Sequence, residues 1–319
     1  MHACLTSLET VEAHSVLPLG WRADLKALDL VPAVLELLRR TTSRLPQDVI
    51  DAMEAQRAAE IPGSRAANTL GTMLENITLA DARIAPLCQD TGTVILWVRH
   101  PFGISQRQLK AQIRAAVAEA TRRSWLRPNC VGALSGQNPG TNLDPYGEGH
   151  PVVHLEEWSS DHIEIAIMLK GGGCENVGAQ YRLPDADLGA GRNLAGVRAC
   201  VLDAVMKAQG QGCAPGILGV AIGGDRVVSY ERSKELLLRK LTEANPRVDL
   251  DAFERQLVSE INSLGIGPMG YGGRTTVLGV FVDELWRHPA SFYVSISYMC
   301  WSSRRMTLTV DVDGHASFA

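Results

Sequence analysis

Apolar residues recur every three or four positions through most of the first half of the chain. This spacing lines one face of a helix, and it predicts helices over residues 24–45, 47–61, 65–77 and 106–124. A short apolar run at 93–98 interrupts them directly after a Gln-Asp-Thr-Gly turn and predicts a strand. The first half is therefore expected to form a helical layer.

Beyond residue 128 the pattern changes to glycine-rich loops between short apolar runs. These runs predict strands at 151–156, 162–169, 217–222, 275–282, 291–299 and 306–312. Helical spacing returns at 194–209, 231–243 and 250–264. Because helices and strands are partly segregated, we expect an α+β fold in which a helical N-terminal layer packs on a mixed or antiparallel sheet.

The length and composition allow one large domain or two modest ones. Of the 319 residues, 45% are hydrophobic and 21% are charged, which is enough to bury a sizeable core. No repeat or flexible linker divides the sequence, so a single domain is expected over residues 26–319. Residues 1–25, which mix polar residues with Pro18, are predicted to be a loosely attached extension.

The charge pattern narrows the classes of partner. A formal net charge of −4 without a basic stripe gives no electrostatic reason to expect nucleic acid or an anionic membrane surface. The start of the sequence does not resemble a secretory leader, and no apolar run is long enough to span a bilayer. We therefore expect a cytoplasmic protein.

Seven cysteines are an odd number for a disulfide framework, so they are expected to be thiols or metal ligands. Cys88, Cys213 and Cys300 share a position where a loop meets a predicted strand end. Zinc and ferredoxin sites place cysteines about two to four residues apart, and these three are far more widely separated. On residue types alone, a three-cysteine metal site and three buried structural thiols both remain open.

Two glycine-containing loops carry more polar groups than a simple turn requires. One of them places a thiol, an amide, a carboxylate and a hydroxyl directly before the strand at 93–98: Cys88, Gln89, Asp90 and Thr91. The other follows Lys170, and its successive backbone N–H groups are typical of an anion-binding loop: Gly171, Gly172 and Gly173. Both loops are candidates for a functional site.

Seven segments of the chain together resemble a known protein family more specifically than any single motif does. They occur in order as Cys88-Gln89-Asp90-Thr91-Gly92, Leu126-Arg127-Pro128-Asn129, Gly140-Thr141-Asn142, Lys170-Gly171-Gly172-Gly173, Gly265-Ile266-Gly267-Pro268, Arg287-His288-Pro289 and Cys300-Trp301 with Arg304-Arg305. From about residue 30 to the C-terminus the chain resembles the α subunit, or N-terminal domain, of class I fumarases and L-tartrate dehydratases.

The resemblance implies a [4Fe–4S] cluster held by three cysteines, with the fourth iron open to substrate. The matching positions are Cys88, Cys213 and Cys300, which leaves Cys130, Cys174 and Cys200 as non-ligands. Two departures, Ala214 after the second ligand and Met299 before the third, reshape the surroundings of the cluster without removing a ligand.

The same resemblance assigns the remaining site residues. An iron with an open position can polarise a substrate hydroxyl as a Lewis acid, while preorganised donors meet the charge that develops on the carboxylate. Gln89, Arg127 and the amides of Gly171, Gly172 and Gly173 are the implied substrate-binding groups. Asp90 and His288 are the implied catalytic pair, because a carboxylate beside a histidine exchanges protons near neutral pH.

Without the resemblance, His288 is better explained as a structural histidine ahead of a proline turn, and Arg127 is explained as a surface charge. Three further arginines are either ligands of a second carboxylate or surface charges: Arg274, Arg304 and Arg305.

Members of this family complete the site with a second β/α unit that is fused or separate. No such unit follows within the 319 residues, so we expect a separate β subunit, an α2β2 assembly and little activity for this chain alone. The implied substrate is a small dicarboxylate, with fumarate favoured over L-tartrate or a mesaconate-type acid.

Two non-enzymatic functions are the alternatives. One is an iron–sulfur or zinc sensor with a closed four-ligand site, to which Cys174 would be the fourth ligand, and the other is a catalytically silent assembly subunit.

Overall fold

The computed structural model describes residues 28–147, 149–311 and 313–319. The predicted extension at residues 1–25 and Cys4 lie outside the described residues, as does position 312 at the end of the last predicted strand. Among the described residues, no helix combines the length and the apolar character needed to cross a bilayer.

Eight helices and nine strands are found in the described part of the chain. The helices are α1 (Val31–Ser43), α2 (Gln47–Ala59), α3 (Arg65–Arg83), α4 (Gln106–Arg122), α5 (Gly172–Asn176), α6 (Leu194–Ala208), α7 (Arg226–Glu235) and α8 (Val248–Ser263). The strands are β1 (Thr93–Pro101), β2 (Val152–Trp158), β3 (Ile163–Lys170), β4 (Ala179–Arg182), β5 (Gly216–Ile222), β6 (Val277–Glu284), β7 (Tyr293–Met299), β8 (Arg304–Val310) and β9 (Ala316–Phe318).

The strands form two mixed sheets. The first has the order β2-β1-β3-β8-β9 and the second has the order β4-β7-β5-β6. Only β1 with β2 and β5 with β6 pair in parallel, and the other neighbours are antiparallel. The predicted α+β class is confirmed, with two sheets where one was expected.

Each sheet has its own hydrophobic core. Helices α1 and α4 cover the first sheet, where Leu37 and Ile113 pack with residues of β1, β3 and β8. Helices α2, α3, α6 and α8 cover the second sheet, where Met53 and Leu257 are completely buried. The helices of the N-terminal half are therefore divided between the two sheets. Each apolar helix face packs against the apolar face of one sheet.

Polar side chains at the helix starts explain several of the observed bounds. Ser64, Ser105 and Asn193 each accept a hydrogen bond from the backbone N–H three residues ahead, and these residues cap α3, α4 and α6. Asp225 caps α7 through the N–H groups of Val227 and Val228. Such caps satisfy backbone donors that have no partner within the helix.

The predicted helix at 231–243 is wrong in its bounds. The observed helix, α7, begins earlier because Asp225 caps it. It is followed by a 3-10 turn at Leu236–Leu238. Leu241 then donates its N–H to Asp48 Oδ2 at 2.7 Å, which holds the following segment out of the helix. All seven predicted strands are found with bounds within three residues, whereas the short elements α5, β4 and β9 were not predicted.

Strand register brings one end of each sheet to the same place. In the first sheet Thr93 pairs with Lys170, and Leu169 pairs with Arg304. In the second sheet Ile217 pairs with Met299, so β5 begins where β7 ends. The chain passes from the second sheet to the first through the short segment 300–303. The loops before β1 and β5 and after β3 and β7 therefore meet.

Lys170 joins the two sheets at this end. Its ammonium group is almost completely buried and donates to the backbone oxygen of Tyr298 in β7 at 2.8 Å. It also lies 2.9 Å from the carboxylate of Glu175, which pairs in turn with Lys234 of α7. A buried ammonium is tolerated because its charge and its donors are matched by these partners.

We expect Lys170→Met to lower the free energy of unfolding by about 2 kcal/mol, because a buried charge-assisted hydrogen bond between the sheets is lost. Urea unfolding measures this change. Lys207→Met is the control, since Lys207 forms an exposed pair with Asp203 on α6 and its removal should leave the unfolding midpoint unchanged. An equal shift for both variants would contradict the inter-sheet role of Lys170.

Candidate functional site

The three predicted ligand cysteines are brought to the same end of the two sheets. Cys88 lies before β1, Cys213 lies before β5 and Cys300 follows β7. The N–H of Trp301 donates to the backbone oxygen of Cys213 at 3.3 Å, which ties two of these loops together. Burial raises the pKa of the Cys213 thiol, and the neighbouring Cys174, Cys88 and Asp90 raise it further. These groups therefore share one local environment.

The loop that carries Cys213 has an unusual backbone. Cys213 has a φ of 57°, in the left-handed region that non-glycine residues rarely adopt, and its N–H donates to the oxygen of Gly210 at 3.0 Å. The ring of Tyr298 packs directly against this loop, since a Cβ on Gly216 would lie 2.4 Å from the ring. Strain of this kind persists where the surroundings fix a side chain for a function.

Cys174 adds a fourth thiol to this group. It lies in α5, is buried, and hydrogen-bonds to the thiol of Cys300. That hydrogen bond lowers the pKa of Cys174 to about 7, with help from Lys170 and Arg304, although burial acts in the opposite direction. The same hydrogen bond and burial raise the pKa of Cys300 well above its ordinary value. The hydrogen bond therefore favours a thiolate at Cys174 beside a protonated Cys300.

The remaining described cysteines lie in other surroundings. Cys200 is completely buried in α6, where burial and the nearby Asp185 and Asp203 raise its pKa to about 12. Cys130 is buried in the segment between α4 and β2, where burial raises its pKa and its N–H donates to the oxygen of Thr141. Both have the environment of structural thiols.

The spacing of the sulfurs bears on the kind of metal centre. Four thiolates around one zinc ion lie about 3.8 Å apart, as tetrahedral bonds of about 2.3 Å require. In the described ranges, the one group of three or more His, Cys, Asp or Glu ligand atoms within 4.8 Å of one another is Asp311, Asp313 and His315. The four thiols are therefore not closed around a position for a single ion. A cluster places several metal atoms between its ligands, so its ligand sulfurs need not lie this close to one another.

Asp311, Asp313 and His315 form a turn before β9, and the side chains of Asp313 and His315 are exposed. The Asp311 carboxylate already accepts hydrogen bonds from the backbone N–H groups of the other two residues. This group lies apart from the loops that carry the thiols.

Buried polar atoms beside Cys300 also fit an anionic metal–sulfur group. The Nε and Nη1 atoms of Arg304 and the hydroxyls of Ser302 and Ser303 are buried without a hydrogen-bond partner among the described residues. Arg304 lies close enough to Cys300 and Cys174 to lower the pKa of both thiols. Because buried donors are nearly always paired, this set is suited to accommodating an additional acceptor.

Asp90 connects two of the loops at the site. Its Oδ1 accepts from the N–H of Gly92 at 2.9 Å and its Oδ2 accepts from the N–H of Gly172 at 2.7 Å. Gly92 has a φ of 83°, and a Cβ there would lie 2.8 Å from the backbone of Lys170. Only glycine lets the Asp90 loop approach the end of β3 so closely. The carboxylate is therefore held in a single orientation beside the thiols.

Arg127 is held next to the Asp90 loop by Thr91. The N–H of Arg127 donates to Thr91 Oγ1 at 2.9 Å, and the Asn129 amide donates to the same oxygen at 3.2 Å. Asn142 fixes the segment further by donating to the oxygen of Arg127 at 2.8 Å. The side chains of Arg127 and Gln89 are exposed on this side of the molecule.

The predicted glycine loop is in part the first turn of a helix. Gly171 is the N-cap of α5, while Gly172 and Gly173 are exposed in its first turn. The N–H of Gly172 is already used by Asp90, so the three amides do not form the open row that the sequence predicted. The structure nevertheless places this turn beside Asp90.

His288 is not brought to the site within one chain. It is exposed in the loop between β6 and β7, where its Nδ1 accepts from the N–H of Ala290 at 3.2 Å. Cys300 follows the other end of β7, and an extended strand of this length spans about 20 Å. Within one chain the structure does not bring His288 to Asp90, and their pairing stays a prediction.

Three arginines were predicted to bind a second carboxylate or to be surface charges. Arg305 is buried and its Nη2 is paired with Asp48 at 2.5 Å, so it serves the interior of the protein. Arg274 is exposed and donates to the oxygen of Ala59 at the end of α2. Arg304 is buried next to Cys300, and neither prediction describes it.

Two groups at the site were not predicted from the sequence. Lys170 was noted only as the residue before the glycines, although a lysine that ends an apolar strand is a signal for a buried, paired charge. The ring and hydroxyl of Tyr298 were missed altogether, because tyrosine in a strand usually indicates packing alone.

A family model described as fumarate hydratase matches residues 31–309. A putative class I fumarate hydratase of Geobacillus stearothermophilus is 46% identical over 285 residues, which cover 88% of this chain and 55% of the relative. The chain thus spans about half the length of that protein.

Two further relatives are close to this chain in length. A putative L(+)-tartrate dehydratase subunit alpha of Methanocaldococcus jannaschii is 35% identical over 285 residues, covering 88% of this chain and 97% of the relative. The L(+)-tartrate dehydratase subunit alpha of Escherichia coli K12 is 30% identical over 293 residues, covering 89% and 91%.

The hydrogen bond between Cys174 and Cys300 predicts a distinctive titration. In the metal-free chain, thiolate absorbance should rise by about one thiolate as the pH increases through about 7, since Cys174 loses its proton there. Cys174→Ser should remove this step, whereas Cys200→Ser should retain it because burial raises the pKa of Cys200 to about 12. A step near pH 7 that persists in Cys174→Ser would contradict the assignment.

Proposed function

Because this chain belongs to the fumarate hydratase family, we propose that it is the cluster-bearing part of an iron–sulfur hydro-lyase that acts on a small dicarboxylate. The observation that carries the proposal is the convergence of Cys88, Cys213 and Cys300 from three separate loops beside Asp90. Fumarate hydration to malate is the reaction we favour, since the matching family model and the Geobacillus relative both bear that name.

L-Tartrate dehydration is the second candidate. It is supported by relatives named as tartrate dehydratase α subunits, of which this chain covers 97% and 91%. The hydroxy acids of the two reactions, malate and tartrate, differ by one hydroxyl group, and a site built to hydrogen-bond that group rejects an acid that lacks it.

Cys88, Cys213 and Cys300 would hold a [4Fe–4S] cluster, with Cys174 beside it as a non-ligand. When bound, such a cluster supplies a Lewis acid that polarises the substrate hydroxyl. The unpartnered donors of Arg304, Ser302 and Ser303 suit the negative charge of this group. Three thiolate ligands leave one coordination position for substrate.

Asp90 is the group we assign to proton transfer. Each of its carboxylate oxygens accepts one backbone N–H, from Gly92 and from Gly172, and retains a lone pair for a substrate hydroxyl or a proton. Because both hydrogen bonds come from the backbone, the orientation of the carboxylate does not depend on another side chain. A fixed orientation favours proton transfer to a bound substrate.

Arg127 and Gln89 are the groups we assign to binding a substrate carboxylate. Within the described part of the chain, the Arg127 guanidinium forms no hydrogen bond or ion pair, so its donors are available for a bidentate contact. Its backbone is fixed through Thr91 to the same loop that carries Asp90. The exposed turn at Gly172 and Gly173 faces the same loop.

We propose a β subunit that completes the site in an α2β2 assembly. The relatives of similar length are named as α subunits, and this chain spans about half of the Geobacillus protein. If His288 is catalytic, it has to come from the second copy of the chain, since within one chain it lies at the other end of β7.

Iron content and activity, measured on the same anaerobic preparation, test the assignment. The chain purified with its β partner should hold about four irons and four sulfides, and it should hydrate fumarate or dehydrate L-tartrate only with that partner present. Cys88→Ser, Cys213→Ser and Cys300→Ser should each lose most of the iron, while Cys174→Ser and Cys200→Ser should retain it.

A loaded complex that is inactive on fumarate, malate, tartrate and mesaconate would instead favour a redox-sensing or assembly role. A chain that binds zinc through Cys174 would contradict the three-ligand site.

Asp90→Asn should lower kcat at least about 100-fold, the usual effect of removing a general acid or base, and leave the iron content unchanged. Asp161→Asn is the control, because Asp161 is exposed in the turn between β2 and β3. A kcat that stays within about twofold of the wild type would exclude Asp90 from proton transfer.

A further inference from the structure

Three cationic side chains are almost completely buried in the described part of the chain, and two of them have an acidic partner. Lys170 is 2% exposed and pairs with Glu175, while Arg305 is 5% exposed and pairs with Asp48. Arg304 is 1% exposed and forms no ion pair with any described residue. All three side chains lie at the same end of the sheets, so the lack of an acidic partner at Arg304 is a local feature.

Two of the side-chain nitrogens of Arg304 are also without hydrogen-bond partners among the described residues. Its Nε and Nη1 have none within the described ranges, and neither do the hydroxyls of Ser302 and Ser303. We call Arg304, Ser302 and Ser303 the donor pocket. All three residues lie on the segment that leaves Cys300 and enters β8, with the N–H of Arg304 bonded to the oxygen of Ser302 at 2.9 Å.

A buried guanidinium without a counter-charge is costly. A single unpaired charge in a protein interior typically destabilises the fold by several kcal/mol. Arg304 keeps its charge, since arginine is not deprotonated in proteins. A working form of the protein is therefore expected to hold an anion beside it.

The position of this anion is restricted by burial. Because Arg304 is 1% exposed in the chain alone, a partner subunit or a bulk anion cannot reach it without opening the core. The anionic groups near it are the sulfurs of Cys300 and Cys174, both of which respond to its charge. The counter-charge must therefore lie at these sulfurs or at a group that they bind.

We propose that Arg304 is the positioning cation of the iron–sulfur cluster, held beside the ligand Cys300 with its donors directed to the cluster and its thiolates. This inference rests on the proposed function, because it requires the cluster. It assigns to Arg304 a role in holding and tuning the metal centre and no contact with the substrate.

Two effects follow from the charge of Arg304. A fixed positive charge stabilises the more negative reduced form of the cluster and so raises its reduction potential. Hydrogen bonds from the donor pocket to cluster and thiolate sulfurs slow the loss of iron. In the metal-free chain with its thiols protonated, the same charge has no anionic partner among the described residues, so removing it should not destabilise that form.

The experiment compares Arg304→Met, Arg304→Lys and Arg305→Lys in the anaerobically loaded complex. Arg304→Met should favour the oxidised cluster at least tenfold at a given potential, which is a fall of about 59 mV for a one-electron couple. It should also release iron to EDTA at least tenfold faster. Arg304→Lys should restore both quantities in part, and Arg305→Lys should leave the potential unchanged because Arg305 is paired with Asp48.

Thermal unfolding of the metal-free chain separates this role from a purely structural one. At a pH where the thiols are protonated, Arg304→Met should melt at or above the wild-type temperature, because an unpaired buried charge is removed. A wild-type potential in Arg304→Met, or an equal change in Arg305→Lys, would overturn the proposal and leave the proposed function standing. A wild-type complex that takes up no iron would overturn both.

Discussion

The site depends on one crossing of the chain, where β7 of the second sheet ends at Met299 and β8 of the first sheet begins at Arg304. The four residues between them carry Cys300 and two buried serines. Because the sheets are in fixed register with β1, β3 and β5, this crossing determines which loops meet it. Lys170 stabilises the junction, because its ammonium group donates a hydrogen bond to the backbone oxygen of Tyr298 and so links the two sheets.

The charges at this junction favour an anionic centre. Lys170 and Arg305 are neutralised by Glu175 and Asp48, whereas Arg304 has no acidic partner among the described residues and lies close to the thiols of Cys300 and Cys174. An unpaired positive charge in a protein interior is costly unless a negatively charged group lies next to it. Thiolates that hold a metal–sulfur cluster meet that need, and Asp90 and Arg127 lie at the edge of the same junction, where a dicarboxylate can approach from solvent.

The sequence predicted most elements because their signals are local. Apolar spacing located the seven longer strands, and Ser64 and Ser105 mark helix starts that can be recognised without a structure. Other features depend on the register between segments more than 100 residues apart. These are the way the two sheets meet, the burial of Arg304 and the separation of His288 from Asp90. Residue type alone does not predict these features, since arginine is usually exposed and a histidine can be either structural or catalytic.

We infer that a cluster with three cysteine ligands occupies the junction. The most direct measurement is anomalous diffraction at the iron edge from crystals of the anaerobically loaded complex. We expect several irons between Cys88, Cys213 and Cys300, one of them without a protein ligand and with Cys174 uncoordinated. A single metal ion bound by four thiolates that include Cys174, or a junction without iron, would contradict it.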